Sequence, residues 1–589
     1  MKTGIGGIFL NRLALAALVL VLAGCGGGGG GSGGSGGSGG AGGGNGGNGG
    51  GGYNYVSSPG YPSTSASGSS VTITWSPVSN FVTYNLYWST APGVTKTNGT
   101  KISGVSSPYM HKNLNYGTTY YYVVTAVDAA GTESAESPQS SATPIAPAKG
   151  WSSGKRIGLA QYFSESIYPE SVQVNNAGTA AAMWQEVASG SFSGGYVYAN
   201  IYRGGAWYTP TRVGDLGSSS ASVTVTASGD AIAVYAQRIF DAVTGNQLRT
   251  AIYSRRYDHL TDTWTTAEQI SVATAANTYC SDPGVAVDAN GNAIAIWIEG
   301  YQTWARRFDS TLGTWEASAT QLSNMKLTYI SPPRIVVDGN NIFTAVWVEE
   351  SAPGAQKNNS SVFARRFNAT PNTWDASVRI GRDPATLLGN TDGAVSQWVD
   401  VNAAGNIFVV WQQTSTLANN TTQYSIDSVR FDPVAKTWSA PASLTARATS
   451  VYPPQVAVDS AGNAMAVWTQ YETTGISLQN VRFSATGGTW TAPMLTDQTG
   501  TATIPSFVLG MDSSGNAEVI WADTVNGIFE RRYNATAGTW GSFNNTLTPS
   551  SNALVGAMSD TGYTALLGQS TSYSSIPWTI AAWGWILTP

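Results

Sequence analysis

A repeated spacing of aromatic residues constrains this chain more than any other feature of its sequence. In seven consecutive units after residue 151, a turn-forming residue is followed nine positions later by Trp or Tyr. The pairs are Asn175 and Trp184, Thr226 and Tyr235, Asp288 and Trp297, Asp338 and Trp347, Asn402 and Trp411, Asp459 and Trp468, and Asp512 and Trp521. Self-similarity of this kind indicates a repeat architecture, in which each unit buries its surface against its neighbours.

A second spacing is almost as constant. Tyr or Phe is followed seven positions later by Trp at Tyr257 and Trp264, Phe308 and Trp315, Phe367 and Trp374, Phe431 and Trp438, Phe483 and Trp490, and Tyr533 and Trp540. In the first unit this interval is five, from Tyr202 to Trp207. The other two intervals of each unit vary, from 11 to 22 and from 19 to 28 residues. This pattern predicts a four-stranded antiparallel meander with fixed turns on one face and variable loops on the other.

The longest variable loops are where we expect function, because binding residues concentrate on loops that a rigid scaffold holds. The sequence predicts these loops at residues 187–196, 238–250, 350–361, 381–399 and 414–426. All five are expected to emerge on one face of the repeat domain.

The strand before each repeated Trp is apolar on both sides. Ala293 to Trp297 reads Ala-Ile-Ala-Ile-Trp, with small residues on one parity and large residues on the other. A sheet buried between two neighbouring sheets has this composition, and a sheet with one solvated face does not. Four-stranded sheets packed between copies of themselves indicate a β-propeller.

An eighth, weaker unit ends the chain. Ser559 occupies the turn position, but Gly568 stands where the aromatic is expected, and the chain stops after a third strand near residues 583–587. Residues 151–157 precede the first unit and can supply the missing fourth strand. We therefore predict an eight-bladed propeller over residues 151–589, closed by an N-terminal strand, with a seven-bladed ring as the alternative.

Residues 57–144 have a different pattern. Trp75 ends an alternating strand, and Leu114, Gly117 and Tyr120 have the spacing of a tyrosine corner. On these motifs the segment resembles a fibronectin type III domain, which implies a seven-stranded β-sandwich. Residues 145–150, with Pro147, form a short linker. The whole fold is expected to be all-β, and the sandwich is expected to act as a spacer.

The amino terminus indicates export. Lys2 and Arg12 precede an apolar run at residues 13–22, which is too short to cross a bilayer as a helix. Residues 22–25, Leu-Ala-Gly-Cys, resemble the lipobox of bacterial lipoproteins, which implies cleavage after residue 24 and acylation of Cys25. Residues 25–56 would then hold the lipidated cysteine and a Gly-rich flexible tether, with 21 Gly among residues 26–52. We expect a protein anchored in the cell envelope, in the outer membrane, through acyl chains on Cys25.

Composition excludes several functions. The net charge is −5 and there is no basic stretch, which argues against nucleic-acid binding. Two His and two Cys are too few for a His-based metal site or a disulfide framework. We therefore predict no metal and no cofactor, and the sequence provides no catalytic residue that we can name.

An acid or amide stands two residues after each repeated aromatic, where a strand should open onto the variable face. These candidate ligand-binding residues are Glu186, Gln237, Glu299, Glu349, Gln413, Gln470 and Asp523, joined by Trp398, which lies outside the repeat pattern. They could hydrogen-bond or stack on sugar, or satisfy loop backbone at the strand ends. A single Arg also precedes the Tyr or Phe in six units, at Arg256, Arg307, Arg366, Arg430, Arg482 and Arg532, and we interpret this repeated position as structural.

The sequence Gly313-Thr314-Trp315, after an Asp-bearing turn, is similar to the Asp-box of sialidase-like propellers, although the spacing differs. Because of that difference, enzyme activity is not inferred from the resemblance. The predicted function is non-catalytic binding of a polysaccharide or a cell-surface protein through the variable face. The alternative is a carbohydrate-active enzyme, a hydrolase or lyase, that uses carboxylates and Tyr on the same face.

The lipobox makes a direct prediction. Replacing Cys25 by Ser should release the protein from the membrane fraction, because the Gly-rich tether has no apolar segment that could hold it there. Fractionation followed by immunoblotting measures this. A variant that remains entirely in the membrane fraction would contradict acylation at Cys25.

Overall fold

The computed structural model describes most of residues 57–588. Outside the described part lie residues 1–56 and these short segments: 68–69, 80–82, 113, 116, 145–149, 153, 159–165, 188–193, 242, 273–277, 325–330, 351–359, 384–390, 418, 420, 447–449, 473–474, 499–503, 505, 524–526, 543, 548–552, 573–578 and 589. The regular structure of the described residues is entirely β-strand. None of them forms a helix that could span a membrane.

The first module is a sandwich of two sheets. Its strands are β1 Ser63–Ser67, β2 Ser70–Thr74, β3 Thr83–Ser89, β4 Thr100–Val105, β5 Tyr109–His111, β6 Tyr120–Val127 and β7 Ser140–Ala142. One sheet has the order β1-β2-β5 and the other β4-β3-β6-β7. Trp75 and Leu114 are buried between them. The tyrosine corner is present as predicted, because the Asn115 amide donates to the Tyr120 hydroxyl at 3.0 Å.

Eight successive up-and-down units are visible in the described part of the chain after this module. Their first strands are Ser166–Val174, Ser218–Val225, Cys280–Val287, Arg334–Val337, Thr391–Val401, Gln455–Val458, Ser506–Met511 and Ala553–Met558. Their second strands are Ala180–Val187, Ala231–Phe240, Ala293–Glu299, Phe343–Glu350, Ile407–Thr416, Ala464–Glu472, Ala517–Asp523 and Thr564–Ser572. Their third strands are Tyr196–Arg203, Gln247–Asp258, Gln302–Asp309, Ser360–Asn368, Thr422–Asp432, Gly475–Ser484, Gly527–Asn534 and Thr579–Thr588.

The fourth strand of each unit consists of two short pieces that pair with the third strand. In units one to seven these pieces are Ala206–Trp207 and Thr211–Arg212, Thr263–Trp264 and Glu268–Gln269, Thr314–Trp315 and Thr320–Gln321, Thr373–Trp374 and Val378–Arg379, Thr437–Trp438 and Ala442–Ser443, Thr489–Trp490 and Met494–Gln498, and Thr539–Trp540 and Asn544–Leu547. Each first piece carries the repeated Trp. The seven-residue interval is therefore the hairpin between the third and fourth strands.

The eighth unit takes its fourth strand from the other end of the repeat domain. Gly150–Trp151 and Lys155–Arg156 pair antiparallel with the third strand, with Trp151 opposite Leu587 and Arg156 opposite Trp583. The strand thus begins at Gly150, one residue before the predicted boundary of the domain. Trp151 stands opposite Leu587 in the register that Trp540 has opposite Tyr533 in unit seven.

Neighbouring units are joined at their turns. Each first strand packs against the first strand of the next unit, and the strand of unit eight packs against that of unit one. Hydrogen bonds also connect successive turns, such as Asn402 Nδ2 to the Asp459 carbonyl at 2.8 Å. From unit eight, the Thr561 hydroxyl donates to the Asn176 carbonyl of unit one at 3.0 Å.

The turn residue at the start of each nine-residue interval organises its own loop. The Asp288 Oδ1 atom accepts from the amides of Asn290 and Asn292, at 2.9 and 2.8 Å. Gly291 has a positive φ of 82°, and in unit four Asn341 occupies the same place with a φ of 61°. An Asx-type turn that ends in a left-handed residue explains why Asp, Asn, Gly and small polar residues recur here.

Sheet burial follows from the stacking of units. The side chains of one second strand alternate between two neighbouring sheets, so Trp297 packs against residues of unit two, whereas Ile296 packs towards unit four. Both are buried. The two-sided apolar pattern predicted for a sandwiched sheet is therefore observed.

Two predicted features of the variable loops need correction. Residues 238–240 and 247–250 extend a hairpin of unit two, and residues 414–416 and 422–426 extend one in unit five, so much of these loops is paired strand. Trp398 is not in a crossover loop either. It lies in the first strand of unit five, opposite Val410. Strand pairing on both sides of a turn takes up much of these two predicted loops, which loop length alone does not reveal.

The strand that begins at Gly150 makes a stability prediction. Deleting residues 150–158 should lower the melting temperature of the repeat domain, because the third strand of unit eight loses its partner and exposes an edge. Calorimetry on the deletion variant measures this. An unchanged melting temperature would mean that the pairing contributes nothing to the stability of the domain.

Candidate functional site

The repeated acid or amide lies next to the repeated Trp, inside the sheets. Each is two residues further along the same strand, so both side chains point to the same side. In five units the Trp indole N–H donates to it. The donor and acceptor pairs are Trp184 and Glu186 at 2.8 Å, Trp297 and Glu299 at 2.9 Å, Trp347 and Glu349 at 3.1 Å, Trp411 and Gln413 at 2.9 Å, and Trp468 and Gln470 at 3.4 Å.

The two remaining members differ. Unit two has Tyr235 in place of Trp, and Gln237 instead accepts from the Asp215 amide at 3.0 Å and donates to the Leu216 carbonyl at 2.8 Å. The side chain of Asp523 lies outside the described part of the structure.

These contacts give the acid and amide positions a packing role. A buried indole N–H needs an acceptor, and an acid or amide on the same side of the strand supplies it. Glu349 is only 1% exposed and also accepts from the Asn324 amide at 3.0 Å. Each described carboxylate of this set is therefore already engaged by a donor of the scaffold.

Four of the six repeated arginines stack on an aromatic ring of the next unit. The guanidinium of Arg366 lies 4.3 Å from the ring centre of Phe431 and 3.3 Å from the Asp338 carboxylate. Arg256 on Phe308, Arg430 on Phe483 and Arg482 on Tyr533 stack in the same way. These cation–π contacts join successive units, in agreement with the structural role expected for this position.

A different group of residues, of which the sequence predicts only Trp398 as a ligand-binding residue, surrounds a cavity between the first strands of units four, five and six. Arg334, Trp398 and Gln455 each stand four residues before the turn residue of their unit. The register confirms their equivalence, because they face Val346, Val410 and Val467 respectively. The cavity has a volume of about 180 Å³ and lies towards the strand ends away from the fixed turns.

Arg334 and Trp398 form the wall of this cavity. The guanidinium carbon is 3.7 Å from the centre of the indole, which places the two planar groups in van der Waals contact. Arg334 Nε donates to the Gln397 carbonyl at 2.9 Å. One edge of the guanidinium is thus fixed by the scaffold, and its orientation is set by the ring beneath it.

A bulge in the first strand of unit five builds the rest of the cavity. The register shifts between Val395 and Trp398, and Ser396 has a positive φ of 54°. Gln397 is displaced towards unit four, where its Nε2 donates to the Pro332 carbonyl at 2.8 Å and its Oε1 accepts from the Ser331 hydroxyl. Bulges often redirect side chains next to binding sites.

No carboxylate among the described residues compensates the charge of Arg334. Within the described residues it forms no ion pair. Burial lowers the pKa of its guanidinium to about 10, so the group remains cationic at neutral pH. A largely buried cation without a carboxylate partner is costly, and an anion placed beside it relieves that cost.

Two other polar groups lack the features of a site. Asp230, Asp258 and His259 could together offer three ligand atoms to a metal, but Asp230 Oδ1 already accepts from the His259 ring and backbone, at 2.6 and 2.9 Å. Cys280 is a buried free thiol whose pKa is raised by burial, so it is not a reactive nucleophile.

Comparison with known proteins identifies the first module. Residues 57–143 match the fibronectin type III domain model. A search of curated proteins found no match to this chain.

Solved structures similar to this chain include carbohydrate-active enzymes. An α-L-arabinanase of Penicillium chrysogenum in complex with arabinobiose is 12% identical, covers 74% of this chain and 98% of its own, and superposes with a TM-score of 0.36. The polysaccharide lyase Uly1 is 9% identical over 62% and 89% of the two chains, with a TM-score of 0.40. The Hadza microbial sialidase Hz136 is 14% identical over 88% and 93%, with a TM-score of 0.32.

The indole contacts predict an order of stability among variants. Replacing Glu349 by Leu should lower the free energy of unfolding by about 1–3 kcal/mol, because the Trp347 N–H and the Asn324 amide lose their acceptor. Glu349→Gln should cost less, since Gln413 and Gln470 accept the same bond in other units. Urea unfolding measures both. Equal losses for the two variants would contradict a role as indole acceptor.

Proposed function

We propose that this protein is a lipid-anchored binding protein of the cell envelope, in which an eight-bladed propeller captures an acidic polysaccharide without cleaving it. The observation that carries the ligand class is the Arg334 guanidinium, stacked on Trp398 at a cavity and without a counter-ion in the described part of the chain. A carboxylate-bearing sugar satisfies this cation, since its charge pairs with the guanidinium that the Trp398 ring orients.

The eight-bladed ring is supported by the order of contacts between units. First strands pack in chain order, and the last packs against the first. The fourth strand of unit eight comes from residues 150–156, and the turns of units eight and one are hydrogen-bonded. A ring that is closed by strands from both ends of the repeat domain has no exposed sheet edge at the junction of units eight and one.

Anchoring rests on the lipobox at residues 22–25. In this proposal, acyl chains on Cys25 hold the protein in the outer membrane, and the Gly-rich tether and the fibronectin type III module carry the propeller away from the lipid surface. Lys112 of the module forms an ion pair with Asp262 and lies 4.9 Å above the ring of Tyr208. These contacts support a module that acts as a fixed spacer.

The absence of catalysis is proposed from the state of the carboxylates. Most enzymes that hydrolyse a glycosidic bond use two carboxyl groups that flank the bond. In the described part of the chain, Glu186, Glu299 and Glu349 each accept an indole hydrogen bond within a sheet. The cavity itself is lined by Arg, Trp, Gln, Ser and Pro, none of which serves as an acid and base pair.

Binding of polygalacturonic acid, compared with neutral dextran, tests the proposal. The full-length protein should retain polygalacturonic acid in affinity electrophoresis and should ignore dextran. Arg334→Gln and Trp398→Leu should each weaken retention by about tenfold or more, because the charge-assisted contact, or the ring that orients the guanidinium, is lost. Retention should also fall with salt.

Arg212→Gln is the matched control. This arginine is exposed on the outer strand of unit one, so its removal changes the net charge equally but should leave retention unchanged. Equal retention of dextran, or an unaffected Arg334→Gln variant, would refute the ligand class. Release of reducing ends from the polymer would support the alternative of a carbohydrate-active enzyme.

A further inference from the structure

The junction between units seven and eight lacks a contact that four other junctions share. At four junctions an arginine of one unit covers the Tyr or Phe of the next, with guanidinium-to-ring distances of 4.6, 4.3, 5.5 and 4.2 Å. The equivalent arginine of unit seven is Arg532. The residue that should lie beneath it, at the end of the third strand of unit eight, is Leu587.

The missing ring leaves Arg532 uncovered. Its side chain is 50% exposed, against 16% for Arg366 and 26% for Arg430, which stack on rings. Arg532 turns instead to two buried carboxylates of its own unit, with contacts of 3.1 Å to Glu518 and 3.4 Å to Glu530. One planar face of the guanidinium has no aromatic partner among the described residues.

A cavity of about 540 Å³ opens at this junction, within the range of small-ligand sites. Its walls include Arg532, Tyr533, Met558 and Leu587, and Glu518 lies at its base. In units two to six the residue paired with the repeated arginine is Ile232, Ile294, Thr344, Phe408 or Met465. A carboxyl at this position is peculiar to unit seven.

Glu518 is held from both sides of the junction. Its Oε2 accepts from the Thr564 hydroxyl of unit eight at 2.9 Å, and its Oε1 contacts Arg532. Burial raises the pKa of this carboxyl to about 7. The cavity therefore combines an apolar wall, an open guanidinium face and a hydrogen-bonding carboxyl at its base.

We propose that this cavity is a second binding site, on the fixed-turn side of the domain, that takes an aromatic side chain of a partner polypeptide. The aromatic ligand is inferred by analogy with the rest of the domain, because equivalent arginines stack on a Phe or Tyr side chain at four other junctions. A tyrosyl side chain fits best, since its ring covers Arg532 and its hydroxyl can donate to Glu518. This site is independent of the Arg334 cavity.

Titration of the full-length protein with N-acetyl-L-tyrosinamide, followed by saturation-transfer NMR, tests the site. Binding should saturate in the millimolar range. Leu587→Phe supplies the missing ring from within and should weaken binding at least about tenfold, with an unchanged or higher melting temperature. Arg532→Gln should weaken binding about three- to fivefold through the lost cation–π contact.

Leu312→Phe is the matched control, because Leu312 is a 73% exposed turn residue of unit three and the same substitution there should leave binding unchanged. Failure to saturate up to about 10 mM would overturn the proposal. Unchanged binding by the Leu587→Phe variant would also overturn it. A loss of more than about 5 °C in the melting temperature of that variant would do the same, since the cavity would then not accommodate an aromatic ring. Neither Leu587→Phe nor Arg532→Gln should change the retention of polygalacturonic acid by the protein.

Discussion

Burial of an indole in six of the eight units is the constraint on which the rest of this repeat domain depends. A second strand sandwiched between two sheets has no access to water, so its Trp N–H must find an acceptor within the protein. Residues i and i+2 of a strand point to the same side, so a polar side chain two residues after the Trp can accept this hydrogen bond. Glu186, Glu299 and Glu349 supply it, and Gln413 and Gln470 do the same with an amide. The nine-residue spacing is the distance from the organising turn to that indole.

Contacts between units are made by the same few positions in each repeat. Turn residues hydrogen-bond to the next turn, and four of the repeated arginines stack on the ring of the next unit. Where the repeat is regular, these side chains are already engaged by the neighbouring unit. The regular positions therefore leave few unpaired polar or aromatic groups for a ligand. Positions where a repeated residue is replaced by another type leave such groups available. Arg334 and Trp398 break the pattern of the first strands, and Leu587 breaks the pattern of the stacked rings.

Both proposed sites follow from this reasoning, and they differ in what is missing. At the Arg334 cavity a cation lacks an anion, so the expected ligand carries negative charge. At the Arg532 cavity the cation already has carboxylates and lacks a ring, so the expected ligand is aromatic. The two sites lie on opposite sides of the domain, towards the variable loops and towards the fixed turns respectively. One protein could therefore hold a polysaccharide and a protein partner at once.

The sequence by itself determined the all-β class, the order of strands within each unit, the tyrosine corner and the turns at Asp288 and its equivalents. These features are local, since spacing, alternation and turn chemistry act over fewer than about ten residues. Aligning the units by their turn residues places Arg334, Trp398 and Gln455 at one position in three consecutive units, which is a hint of a shared cavity.

Only the tertiary structure decided what the repeated polar residues do. In the sequence, a Glu two residues after a Trp is equally compatible with binding a ligand and with accepting the indole hydrogen bond. Its role depends on whether a neighbouring sheet covers the side chain. The bulge that brings Gln397 towards unit four, the length of the paired hairpin in unit five and the empty place beneath Arg532 likewise depend on residues far apart in the chain. Such features arise from contacts between sheets, and no spacing within one unit encodes them.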